Sequence, residues 1–387
     1  MKKFRTALVT AVSLVVFAAV ALPASGAGVT DTIKDAHVPN RVLVKLNPGA
    51  NADAFIKANG LTKKGEVFGD SVLILEAKGK ATSALVEALS KNPNVEYAEP
   101  DYIATADWTP NDPSFGSQWG PQNVQAPAAW DYTKGSSSVL IAVVDTGVDL
   151  DHPDLSTKVR TDIDYDYVNN DSTAQDDNGH GTHVAGIAAA ATNNSTGIAG
   201  MCPNCMVLPV KVLNSSGSGT YSAIASGINY AVSKGAKVIN MSLGGSAGDA
   251  TLSSAVSNAN ASGVLLACAA GNSNTSAASY PAYYSGCVAV ASTDSGNNKS
   301  SFSNYGSWVD TSAPGTSIYA TYWNNTYSTL SGTSMATPHV AGLAGLLFSQ
   351  GRSQSDVKTR LTSSTYTDAV NSSLIPRKIN ALKAVSL

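Results

Sequence analysis

Three short segments carry side chains able to run acyl transfer. Val144-Asp145-Thr146-Gly147, Gly179-His180-Gly181-Thr182-His183-Val184-Ala185-Gly186 and Gly332-Thr333-Ser334-Met335-Ala336-Thr337-Pro338-His339 supply a carboxylate, an imidazole and a hydroxyl, in that chain order. A serine hydroxyl is a weak nucleophile at neutral pH. It needs a base within hydrogen-bond reach, and the base needs a third group to fix its tautomer. Ser334 as nucleophile, His180 as general base and Asp145 as its orienting carboxylate meet that need. Two other chemistries touch the same residues. Asp145-Thr146-Gly147 alone matches the short signature of an aspartic peptidase, a mechanism that needs two carboxylates sharing one proton. His180-x-x-His183 and Cys202-x-x-Cys205 have metal-ligand spacing. No His-Glu-x-x-His is present, however, and no glutamate follows residue 99 to act as a zinc enzyme's base. His183 and His339 therefore read as packed, structural histidines.

These residues need elements to hold them. The run 139–144 is apolar and rich in β-branched residues, and 207–213, 237–241, 263–269 and 288–291 resemble it. Such runs suit strands of a parallel sheet buried on both faces. Helix-like segments alternate with them at 181–191, 222–234, 252–261 and 334–350. Alternation predicts an α/β fold with helices on both faces. Ligands bind such sheets at the carboxyl ends of strands, where Asp145 stands. Ser334 opens a helix-like run, and Pro338 is tolerable there if it falls in the first turn. Residues 28–106 differ. Arg41–Leu46, Ser71–Glu76 and 94–100 read as strands and 52–59 and 81–91 as helices, a small α+β unit. All five glutamates of the chain lie in that unit, a composition break that argues for two separately shaped pieces.

The three motifs, in their order Asp, His, Ser, resemble the subtilisin family of serine proteases, and the resemblance covers the whole chain. Thr109-Pro110-Asn111-Asp112-Pro113, 192–200 and 280–285 place it near the thermitase branch. The resemblance implies a subtilisin-like parallel sheet flanked by helices, preceded by a ferredoxin-like α+β propeptide. It implies a serine endopeptidase of broad specificity, with Asn272 and the Ser334 N–H as oxyanion donors. Peptide would bind as an added strand. Ser242-Leu243-Gly244 would form one wall and Ser218-Gly219-Thr220-Tyr221 the other. Ala269, Ala270 and Gly271 would form a small-residue floor that leaves room for a large apolar or aromatic P1 side chain. Protein and peptide substrates follow from this, and a monomer is expected.

Ten aspartates between 145 and 177 crowd one stretch. A solvated acidic face is the ordinary meaning of such a run, but carboxylates also make calcium sites. The resemblance implies a structural Ca2+ on Asp112, Asp154 and Asn194 with the carbonyls of Ala191, Thr196 and Ile198. A second calcium would be held by Asp166, Asn169, Asp171, Thr173 and Gln175, weakened because Asn169 stands where thermitase-type sites carry an aspartate.

Met1-Lys2-Lys3-Phe4-Arg5, an apolar run from Ala7 to Leu22, and Ser25-Gly26-Ala27 read as a signal peptide over 1–27, so the protein is expected to be secreted and extracellular. The resemblance implies that 28–106 is an inhibitory intramolecular chaperone, cleaved near Ala106 to release a peptidase domain of 107–387. With 25 basic against 28 acidic side chains, a net charge of -3 and no long basic run, nucleic acid is excluded as a partner class. No later segment is apolar enough to span a membrane once the signal is removed. The four cysteines, at 202, 205, 268 and 287, leave pairing open: a small loop closed by the first two, or reduced core residues, both fit.

Overall fold

A computed structural model describes residues 37–67, 71–103 and 108–386. The chain divides between Thr105 and Ala106 into two compact units. The expected signal peptide, and the expected cleavage near Ala106, lie outside the described residues.

The first unit runs β1 (His37–Leu46), α1 (Ala52–Ala58), β2 (Thr62–Val67), β3 (Val72–Glu76), α2 (Thr82–Ser90) and β4 (Val95–Tyr102). The antiparallel sheet has the order β2-β3-β1-β4, a ferredoxin-like βαββαβ arrangement. Val42 and Val44 of β1 point to one face, as period-two alternation requires, and pack with Leu73, Leu75, Phe55, Leu85 and Leu89. β2 has no apolar period in its sequence, Thr-Lys-Lys-Gly-Glu-Val. It lies at the sheet edge with most side chains exposed, which accounts for the missing signal.

The second unit continues with α3 (Trp119–Asn123), α4 (Ala126–Trp130), β5 (Leu140–Asp145), β6 (Tyr165–Asp166), α5 (His180–Ala189), β7 (Met206–Lys211), α6 (Tyr221–Ser233), β8 (Val238–Met241), α7 (Ala250–Ala261), β9 (Leu265–Ala269) and β10 (Cys287–Thr293). It ends with β11 (Thr311–Pro314), β12 (Ile318–Tyr322), β13 (Thr326–Leu330), α8 (Thr333–Ser349), α9 (Gln354–Thr362), β14 (Thr367–Asp368), β15 (Lys378–Ile379) and α10 (Ala381–Ser386). Nine strands form one sheet in the order β14-β15-β11-β10-β9-β8-β5-β7-β6, parallel except for β14. Alternate residues of β5 feed two cores. Ile141 and Val143 pack with Val184 of α5 and Leu343 of α8. Leu140, Ala142 and Val144 pack with Ile224 and Ile228 of α6 and Leu252 and Val256 of α7. The sheet is thus covered on both faces, as its near-continuous apolar strands require. β5 has β7 on one side and β8 on the other, so successive connections leave it in opposite directions and open a crevice at its carboxyl end.

The structure closes the question of cysteine pairing and differs from the sequence expectation at one proline. All four cysteines are paired, Cys202 with Cys205 and Cys268 with Cys287, so none is a free core thiol or a metal ligand. Pro338 does not fall in the first turn of its helix. α8 starts at Thr333, so Pro338 is the sixth residue, and Gly332 precedes the helix in extended conformation. Proline there removes the donor to the carbonyl four residues back, which belongs to Ser334. That carbonyl accepts instead from the Ser242 hydroxyl at 2.8 Å.

Candidate active site

β5 delivers Asp145, the start of α5 delivers His180, and the start of α8 delivers Ser334. Asp145 has no solvent exposure. Its Oδ1 accepts from the Thr146 N–H at 2.7 Å and lies 2.7 Å from His180 Nδ1, while Oδ2 is buried without a hydrogen-bond partner. A carboxylate offers only lone pairs, so Nδ1 carries the proton and Nε2 is left as the basic nitrogen. The imidazole is about one-quarter exposed (26%). Burial opposes its charged form, but the neighbouring Asp145 carboxylate, with Asp176 further away, outweighs this and holds the ring above its ordinary 6.5. A Cβ at Gly181 would run into the Gly147 carbonyl, so glycine lets α5 approach the strand end closely.

The turn before His180 is tied to the strand by Asp176. Its Oδ1 accepts from Thr146 Oγ1 (2.8 Å), Asn178 N (3.0 Å) and Gly179 N (3.0 Å), and its Oδ2 from Thr182 N (2.9 Å) and Thr182 Oγ1 (2.5 Å). Lys211, 1% exposed, donates to the carbonyls of Thr146 and Leu213 and pairs with Asp177 at 2.6 Å. Three acceptors offset the cost of burying that ammonium.

Ser334 Oγ donates to the Ser242 carbonyl at 3.1 Å. A hydroxyl has one proton, and here the Ser242 carbonyl takes it. Asn272 Oδ1 accepts from both the Thr333 N–H (2.8 Å) and the Thr333 hydroxyl (2.9 Å). This fixes the amide with its NH2 end free of those bonds. The backbone before it turns at Gly271, φ +104°, where a Cβ would lie 2.5 Å from Asn304 Nδ2. Asn304 brackets the same loop, donating to Ala270 O (2.8 Å) and accepting from Ser273 N (2.9 Å). Asn304, Thr333 and Asp176 hold the site, yet none of them carries a role in the sequence analysis. Thr333 and Asp176 stand in or beside the motifs; nothing local marks Asn304.

Two cavities flank Ser242-Leu243-Gly244. One of about 350 Å³ is lined by His180, Leu213, Ser218, Gly219, Tyr221 and Ile224. The other, of about 450 Å³, is lined by Ala269, Gly271, Asn272, Thr333 and Ser334, with no charged side chain on its wall. Ala270 is fully buried beneath it.

Asp112 and Asp154 are buried carboxylates 4% and 0% exposed. Asp112 accepts from Asn193 N and Asn194 N, and Asp154 from Asn194 Nδ2, Ile198 N and Tyr327 OH. Thr196 N donates to Asn194 Oδ1, and Ala191 N to the Asp154 carbonyl. All six residues of the first expected calcium set thus share one hydrogen-bonded cluster. No ion pair to either carboxylate is found among the described residues. Burial pushes Asp154 up despite its N–H and O–H donors, and burial beside it raises Tyr327. A hard cation there would relieve both. In the second set, Asp166 accepts from Val168 N, Asn169 N and Asn169 Nδ2, and Asp171 from Thr173 N. Gln175 turns elsewhere, accepting from Leu150 N and donating to Asp149. Among the described residues no three His, Cys, Asp or Glu side chains converge as a metal cluster.

The rival readings lose their geometry. His183 lies against the carbonyls of Ile318 and Ser328, and burial lowers it to about 4. His339 lies against Met335 O, fully buried and likewise lowered to about 4. The chain's other Asp-Thr/Ser-Gly triplet, Asp294-Ser295-Gly296, forms a turn in which Asp294 accepts from Gly296 N and Asn298 N.

A hydrogen-bonded Asp–His pair and a serine at the start of a helix, all at the carboxyl ends of strands of one parallel sheet, form the arrangement expected of a serine hydrolase. Residues 136–378 match the Subtilase family (peptidase S8) and 23–101 the fervidolysin N-terminal prodomain. The chain is 56% identical over 282 residues to thermitase of Thermoactinomyces vulgaris, covering 72% of this chain and 99% of that one. It is 49% identical over 331 residues to a thermophilic serine proteinase of Bacillus sp. (strain AK1), covering 84% and 82%. A solved protease from Pseudoalteromonas arctica PAMC 21717 superposes with a TM-score of 0.66 at 34% identity, over 72% of this chain and 99% of that one. The chain belongs to the subtilase family. It is a subtilisin-type serine endopeptidase, thermitase-like, with an N-terminal prodomain.

The raised imidazole gives a pH prediction. His180 must be neutral to act as base, so kcat/KM rises with pH through its titration, and the acid limb should lie above the ordinary 6.5. Asp145→Asn should move that limb to lower pH and lower kcat by roughly 10⁴-fold. Initial rates on a peptide amide from pH 4 to 10 check this; an unmoved limb would remove Asp145 as the partner.

Proposed function

We propose that this is a secreted endopeptidase that cuts protein chains through an acyl-enzyme on Ser334 and matures by cutting its own precursor. The Asp145–His180 hydrogen bond of 2.7 Å, with Ser334 at the start of a helix beside the same Ser242-Leu243-Gly244 segment, carries the reading. His180 Nε2 takes the Ser334 proton as Oγ bonds to the scissile carbonyl carbon. The carbonyl oxygen becomes an oxyanion held by Asn272 Nδ2 and the Ser334 N–H, a first-turn donor with no helical partner. Collapse breaks the C–N bond, and His180 hands its proton to the leaving amine. Water then attacks the ester, losing a proton to His180, and Ser334 departs with it.

Substrate would lie as a strand between Ser242-Leu243-Gly244 and Ser218-Gly219-Tyr221, paired through backbone and so tolerant of sequence. The uncharged cavity over Ala269, Ala270 and Gly271 favours a large apolar or aromatic P1 side chain. Residues 1–27 would direct export, and 28–106 would act as chaperone and inhibitor. The prodomain match supports the second role. No helix among the described residues is long and apolar enough to cross a membrane.

Calcium would bind Asp112, Asp154 and Asn194 with the carbonyls of Ala191, Thr196 and Ile198. A weaker second ion would need Gln175 to turn in toward Asp166, Asn169, Asp171 and Thr173. The ion supplies charge neutralisation and loop cross-linking, and stabilises by binding only the folded chain.

Two experiments test these readings. Intact mass of the exported product should show loss of a piece ending near Ala106 in the unsubstituted protein and its retention in Ser334→Ala. A Ser334→Ala chain that matures in a protease-deficient host would overturn self-processing. For calcium, EGTA should lower the melting temperature of the inhibited mature enzyme by roughly 5–10 °C. An unchanged melt would sink the calcium assignment.

A further inference from the structure

Hydrogen-bond accounting at the start of α8 leads to a residue outside the triad. Pro338 leaves the Ser334 carbonyl without a helical donor, and Ser242 Oγ supplies one at 2.8 Å. Having given its only proton there, the Ser242 hydroxyl can act toward other neighbours only as an acceptor. Asn240 Nδ2 donates to it at 3.0 Å. Asn240 is fully buried, and its Oδ1 is buried with no hydrogen-bond partner. Buried acceptors are normally satisfied. An amide that leaves its acceptor idle while its donor meets Ser242 is held by the donor end.

We propose that Asn240 is a positioning residue for the nucleophile. The relay from Asn240 Nδ2–H to Ser242 Oγ–H to the Ser334 carbonyl fixes the first turn of α8 in the orientation from which Ser334 attacks. The inference rests on the reading of Ser334 as nucleophile. Pro338 creates the need for the relay, Ser242 meets it, and Asn240 sets the direction in which the Ser242 proton points. An aspartate at 240 would compete for that proton; an alanine would leave the hydroxyl free to rotate. In either case the Ser334 peptide loses its anchor, and with it the alignment of Oγ and of the Ser334 N–H.

The test compares Asn240→Asp and Asn240→Ala with the unsubstituted mature enzyme, active sites being counted by the acyl-enzyme burst on an activated ester. Per titrated site, kcat on a peptide amide should fall roughly 10- to 100-fold, the scale of a misplaced reacting group. KM should stay within about twofold, because substrate pairs with the groove backbone and not with Asn240. A merely structural role would lower the number of titratable sites and leave kcat per site unchanged. Pro338→Ala supplies the second arm. It restores an N–H that can reach the Ser334 carbonyl, so adding Asn240→Ala in that background should cost less than about threefold, a non-additive cycle. Unchanged kcat per site in Asn240→Ala, or an equal loss in both backgrounds, would overturn the relay. Absence of a burst in the unsubstituted enzyme would instead remove the nucleophile reading beneath it.

Discussion

A carboxylate with no solvent exposure sits at the end of β5, and one of its oxygens has no hydrogen-bond partner at all. Burying such a group is costly unless a charge or strong donor meets it. Asp145 Oδ1 meets two donors, the Thr146 N–H and, also at 2.7 Å, His180 Nδ1–H. The rest of the site depends on this contact. It selects the tautomer that leaves Nε2 basic, and in the proposed mechanism it would stabilise the imidazolium formed when Ser334 gives up its proton. Much of the surrounding polar structure keeps the two residues in register: Asp176 ties the turn before His180 to Thr146, and Lys211 ties Thr146 to Leu213 and Asp177.

The Ser334 side obeys a backbone constraint instead. A helix that starts at Thr333 and carries proline at its sixth position cannot satisfy its own Ser334 carbonyl. The end of β8 and the residues after it bring Asn240 and Ser242 to meet it. The Thr333 N–H and hydroxyl meanwhile orient Asn272. Ends of β5, β8 and β9 and starts of α5 and α8 thus converge on one crevice, each with its unmet backbone or side-chain groups answered by a neighbour's.

Much of this was legible in the chain. The apolar runs before Asp145 and before Asn272 are strands because both faces of the sheet are covered, and the alternating helices follow from that. The three motifs placed the triad candidates, and the small residues 269–271 placed the uncharged cavity. Edge strand β2 was not legible, because an exposed strand has no apolar period. The polar strand β11, Thr-Ser-Ala-Pro, is buried by its neighbours and not by its own composition. Pro338 read as a first-turn proline because helix starts are the least certain boundary in a sequence. Cysteine pairing depends on Cα separations of 5.4 and 5.9 Å that no spacing reveals. Asn304 and Asn240 act through contacts made only in the folded chain.

In the proposed mechanism one hydroxyl, on Ser334, is the acylated group. Mass mapping of the mature enzyme after reaction with a fluorophosphonate tests it most directly. A single stoichiometric adduct is expected on the peptide containing Ser334, with labelling abolished when His180 is replaced by alanine. An adduct on any other residue, or inactivation without modification of Ser334, would contradict it.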